Sequence, residues 1–123
     1  NASKLYKKYS EEERTHSEWS KAFLLDRDAI VELDDLEAPP CEFKSFQEIA
    51  EKTLEHELEI TRQCEELTKK AMEWGNFVLM TLGLKYCAEQ QEEIGKATNL
   101  LNILKLSTDN LVIDQYIGEN FLG

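Results

Sequence analysis

Residues 11–16 read Glu-Glu-Glu-Arg-Thr-His, EEERTH, and the direction taken by Glu13 and His16 decides what kind of helical protein this is. Stepping back seven residues from Phe23 reaches His16, and seven more reaches Tyr9. Glu13 lies on the same face one turn away. Ala2, Leu5, Tyr6, Tyr9, Glu12, Glu13, His16, Trp19 and Phe23 follow the three-four spacing of a helix side over about residues 2–28. Glu13 and His16 are therefore expected to project inward, where charged groups need compensation.

Two further helices show the same break. Ser45, with Glu48 three residues on, forms a capping box that opens a helix over about 45–74. Its stripe runs Phe46, Ile49, Ala50, Thr53, Glu57, Ile60, Cys64, Leu67, Ala71 and Trp74, so Glu57 stands where an apolar residue is expected. Gly75-Asn76 stops that helix in a tight turn. A third helix, about 77–105, carries Met80, Leu84, Cys87, Gln90 and Gln91, Ile94, Ala97, Leu101 and Leu104, its apolar run interrupted at Glu89-Gln90-Gln91-Glu92-Glu93. A short apolar segment, about 111–121, ends the chain. Between the first two helices, Ala38-Pro39-Pro40 cannot continue a helix, and Ile30-Val31-Glu32-Leu33 is suited to a brief extended run.

Composition sets the limits. The 123 residues suffice for a single domain over 1–123 with one core. Hydrophobic residues make up 41% and charged ones 32%, which fits a globular rather than a disordered chain. Five Gly and two Pro leave little turn chemistry and favour long helices. A helix of nearly thirty residues is about 40 Å long and cannot bury its stripe alone, so an all-α bundle with a long crossover loop is expected. The formal charge of -11 argues against nucleic acid and anionic membranes as partners and suits cations. Cys41, Cys64 and Cys87 are too few and too widely spaced for a disulfide framework or thiolate zinc site, which points to the cytoplasm. No serine or cysteine nucleophile pairs with histidine at a recognisable spacing, and no glycine-rich phosphate loop is present.

The three polar breaks all fall near mid-helix. Converging in one layer, they would crowd Glu13, Glu57 and Glu93, with Glu12, Glu89 and Glu92, around one imidazole. Buried like charges are costly, and cations remove the cost. Carboxylate oxygens with one imidazole suit iron, manganese or zinc. The alternatives from pattern alone are a solvated Glu-x-x-His surface, a snorkelling Glu57, and a Gln90–Gln91 layer that only sets helix register.

At these residues the sequence resembles the bacterial-type non-haem ferritins. EEERTH is similar to that family's second-helix motif, LEHELEIT (54–61) to its third, AEQQEE (88–93) to its fourth, and NLVIDQYIGENFLG (110–123) to its short fifth helix. The resemblance implies a ferritin-like four-helix bundle and a ferroxidase that stores iron. Glu13 would be shared between two irons, His16 would ligate the first and Glu57 the second. Gln90 would orient water or dioxygen beside the centre. Glu93 would bridge toward a third iron position completed by Glu12, Glu89 and Glu92. Arg14 stands where a haem-binding relative carries Met, so no haem is expected. Fe(II) with dioxygen or peroxide would be the reactants, and a shell of 24 subunits the assembly. The family's first helix, with one more ligand Glu and a nearby Tyr, has no counterpart here; with Asn1 rather than Met at the start, a preceding segment is expected. The competing expectations are an inactive ferritin-like subunit or fragment that co-assembles, and a helical interaction module.

Overall fold

The structure is a computed structural model that describes residues 1–122. It contains four α-helices: α1 (Ala2–Leu25), α2 (Phe46–Glu73), α3 (Phe77–Leu106) and α4 (Asn110–Asn120), with no strand among the described residues. No helix of the described residues is long and apolar enough to cross a membrane. The chain divides into two compact units, one of Asn1–Val31 with Asn102–Gly123, the other Glu32–Leu101.

In the first unit α4 lies along α1. The Asn1 side chain donates to the Asp114 carbonyl at 2.9 Å, and Lys8 Nζ donates to the Phe121 carbonyl at 3.0 Å. Position numbers rise together across these two contacts, so the helices run in the same direction. Leu5, Leu104, Ile113 and Ile117 are buried here. Asp109 opens α4, its carboxylate accepting from the Leu111 and Val112 amides at 2.9 and 3.5 Å. α1 stops at Leu25, short of the expected Asp28. The amides of Asp28 and Ala29 donate back to the Leu25 and Leu24 carbonyls at 3.1 and 3.0 Å, a Schellman closure. Its left-handed position is taken by Asp28, at φ 54°, where glycine usually stands.

The second unit is a helical hairpin. The Ser45 hydroxyl accepts from the Glu48 amide at 3.1 Å, as the capping box requires. At the other end Gly75 adopts φ 68°, and the Gly75 and Asn76 amides close on the Met72 and Ala71 carbonyls. The Asn76 carboxamide oxygen then accepts from the Leu79 amide at 3.1 Å and so caps α3. Gly83 and Cys87 of α3 meet Thr68 of α2, whereas Gln90 meets Thr61 and Glu57, so the two helices are antiparallel.

Their closest approach is at Gly83. A β-carbon there would lie 2.3 Å from Thr68 Oγ1 and 3.1 Å from its α-carbon, so the position requires glycine. Thr68 tolerates burial because its hydroxyl donates to the Cys64 carbonyl at 2.8 Å. Leu84 and Trp74, expected on the apolar stripes, are instead exposed, as is Gln91. Gly83 faces α2, which turns its neighbour Leu84 away. Cys41 is exposed, Cys64 and Cys87 are half-buried, and all three are unbridged.

Candidate metal centre

The polar residues singled out in the sequence occupy both units, and each group has its own geometry. On α1, His16 is buried while Glu13 is exposed, with 54% of its side chain accessible. The inward expectation therefore describes His16 and not Glu13, which sits on the shoulder of the stripe. His16 Nδ1 lies 3.4 Å from Glu13 Oε2, a long contact across one turn. The Trp19 ring stands one turn further on, its centroid 5.0 Å from that of the imidazole at an angle of 49°. A histidine ring nitrogen and a carboxylate facing each other at that distance can both turn toward a cation. Glu12 is half-buried on the same helix.

On α2 and α3 the arrangement is tighter. Gln90 is buried, and its amide nitrogen donates to Glu57 Oε2 at 2.9 Å. The same nitrogen lies 3.3 Å from the Glu57 carbonyl and 3.4 Å from Thr61 Oγ1. Thr61 in turn donates to the Glu57 carbonyl at 2.8 Å. Gln90 thus binds the Glu57 carboxylate directly and fixes its rotamer, rather than standing apart from it. One hydrogen bond to Oε2 uses part of a carboxylate's acceptor capacity and leaves lone pairs for a further partner.

Glu93 is buried one turn beyond Glu89, with Lys96 Nζ at 3.0 Å from its Oε1. Glu89 is half-buried and Glu92 exposed. His56, beside Glu57, is exposed. Three contributors were not singled out by sequence: Thr61, Lys96 and the ring of Trp19 against His16. The first two stand four and three residues after a candidate ligand, the spacing at which helix side chains meet.

Electrostatics elsewhere are local. Arg62 donates to Glu59 Oε1 at 2.8 Å and to Glu66 Oε2 at 3.0 Å on the solvent side of α2. Hydrogen bonds from Arg62 and Gln63 hold the Glu59 carboxyl down to about 2. Burial, with the neighbouring Cys87 and Glu57, pushes the Cys64 thiol up.

Comparison with known proteins agrees with this picture. A family model described as a ferritin-like domain matches residues 1–107. The bacterial non-heme ferritin of Campylobacter jejuni is 28% identical over 113 residues, covering 89% of this chain and 68% of the relative. That of Escherichia coli O6:H1 is 26% identical over 106 residues, covering 86% and 64%. Among solved structures, an open pore ferritin from the hyperthermophilic archaeon Archaeoglobus fulgidus superposes with a TM-score of 0.81 at 29% identity, covering 87% of this chain and 66% of that one. The fold is that of the ferritin helix bundles. The chain spans about two thirds of the length of the relatives it matches.

Proposed function

Because the chain belongs to the ferritin-like domain family, we propose that it binds Fe(II), oxidises it to Fe(III) and serves iron storage in a self-associated shell of 24 subunits. Iron is the substrate and cargo. Glu13 and His16 are assigned as ligands of the first iron, with Glu13 shared, and Glu57 as a ligand of the second. Glu93, with Glu12, Glu89 and Glu92, is assigned to an outer iron position. Two Fe(II) ions each give up one electron, and dioxygen or peroxide accepts the pair. The cytoplasm is the matching compartment, and no haem is required.

The observation that carries this reading is the Gln90–Glu57 hydrogen bond at 2.9 Å inside the helical hairpin. An amide that spends its N–H on a mid-helix carboxylate keeps that carboxylate oriented, as a metal ligand must be. A register-setting polar layer would be served as well by two neutral amides. The acidic net charge of the chain supports attraction of iron cations.

Aerobic oxidation of Fe(II) by the purified protein, followed by absorbance of the ferric product, tests the proposal. His16→Ala with Glu57→Ala should cut the initial rate by more than the roughly 10–100-fold typical of losing an outer partner of a metal ligand. An unchanged rate overturns the assignment. Iron binding without oxidation would identify an inactive subunit, and native mass measurement tests the shell.

A further inference from the structure

We infer that Lys96 is a tethered counter-cation for Glu93, a positioning residue that sets how readily a metal ion engages that carboxylate. The inference rests on the proposed function above, in which Glu93 is a metal ligand.

The ion pairs along the solvent face of α2 differ from this one. Lys52–Glu55, Arg62–Glu59, Arg62–Glu66 and Lys70–Glu66 all join side chains at least 49% exposed. Such solvent-exposed pairs contribute little to stability. In the Lys96–Glu93 pair, the carboxylate side chain is 6% exposed and the lysine 33%. The ammonium therefore reaches from a partly wet position onto a buried anion, at 3.0 Å. A buried carboxylate left without a cation is strongly disfavoured, so the lysine does for Glu93 what a metal ion would do.

The choice of partner is informative. Glu92 lies four residues before Lys96, which is the favourable Glu-to-Lys spacing on a helix surface, and Glu92 is exposed. The ammonium nevertheless pairs with Glu93, three residues before it. A lysine head is a compact point charge on a flexible stem, so it can leave without moving the helix. A divalent cation arriving at Glu93 meets this positive charge at contact distance, and the ammonium has the exposed Glu92 and solvent to receive it as it withdraws. Lys96 thereby keeps the Glu93 carboxylate ordered while no metal is bound, and lowers its affinity for metal by competition.

Mn(II) binding to the whole protein, followed by electron paramagnetic resonance of the free ion, reads this without any turnover. Lys96→Met should tighten Mn(II) binding at the weakest specific position by about tenfold, through loss of a competing charge at contact distance. Lys96→Arg should leave it within about twofold of the parent, since the charge is kept. Adding Glu93→Gln to Lys96→Met should abolish the gain. If Lys96→Met binds Mn(II) like the parent while Glu93→Gln weakens binding, the counter-cation role is overturned and the metal-centre proposal stands. If His16→Ala, Glu57→Ala and Glu93→Gln all leave Mn(II) binding unchanged, the metal-centre proposal itself falls, and the role of Lys96 with it. Circular dichroism confirms that each variant keeps its helices.

Discussion

The candidate ligands on α1 and those on α2 and α3 are held in different ways. Glu13 and His16 face each other across one turn of α1 at 3.4 Å, with Glu13 more than half exposed. Glu57 is held across two helices by the buried Gln90 amide at 2.9 Å, just beyond a region where Gly83 lets the backbones close up. The Glu13 carboxylate is reached by solvent, whereas the Glu57 carboxylate is oriented by a buried donor.

Substitutions at the hairpin should therefore cost far more than substitutions at the α1 pair. Gly83→Val is the severest. Its β-carbon would collide with Thr68, including the Thr68 α-carbon at 3.1 Å, which no rotamer change relieves. A loss of about 3 kcal/mol is expected, lowering the thermal midpoint by roughly 10 °C on calorimetry. Thr68→Ala should rescue Gly83→Ala only in part, since it removes the hydroxyl but not the backbone contact. Full rescue would show that the helices are not closely apposed.

Next comes Gln90→Leu, which strips the Glu57 carboxylate of its donor at nearly constant size. About 1–3 kcal/mol of stability should be lost in denaturant titrations. The matching change on α1, Glu13→Gln, should alter stability by less than about 0.5 kcal/mol, because Glu13 is solvated. Equal losses would erase the distinction between the two groups.

The two Schellman turns sharpen the comparison at smaller scale. Asp28→Gly should stabilise by up to about 1 kcal/mol, since glycine fits φ 54° without a β-carbon penalty. Gly75→Ala at φ 68° should destabilise by about 1 kcal/mol. Smallest is the solvent face of α2. Glu59 titrates near 2, below its ordinary 4.5, because of hydrogen bonds from Arg62 and Gln63. A depressed carboxyl contributes stability above its unfolded pKa, and that contribution fades as pH falls from about 4.5 to about 2. Arg62→Ala should therefore lower helix stability slightly at pH 7 and not at pH 2, with the difference screened by salt. A deficit that persists at pH 2 would mean that Arg62 acts through packing of its stem.

What could be read from the sequence follows the same line. The start and stop of α2 were legible because Ser45 with Glu48 and Gly75-Asn76 are local signals whose chemistry lies within a few residues. The stop of α1 was not, because Asp28 takes a conformation that the sequence advertises only when glycine occupies it. Periodicity located His16, Glu57 and Gln90 on inward faces, and those three are buried or half-buried, while Glu93, read only as part of the polar break, is buried as well. It could not say that Glu13 would lie on a shoulder, since a helix face is about as wide as the difference between facing in and facing out. The partners were the hardest to foresee. Gln90 binding Glu57 and Lys96 choosing Glu93 over Glu92 depend on how two helices approach and on which carboxylate is dry, and neither is a property of a single stretch.

The turn at Gly75-Asn76 has a further consequence. Asn76 is both the last closing amide of α2 and the first cap of α3, so the hairpin contains no spare residue to absorb a change in length. One added residue would rotate every side chain of the later helix by about 100° about its axis. Gln90 would swing off Glu57 and Gly83 would be replaced at the contact by a bulkier neighbour. Length at this corner acts as the phase setting of the hairpin, and natural variation is expected as substitution there, never as insertion or deletion.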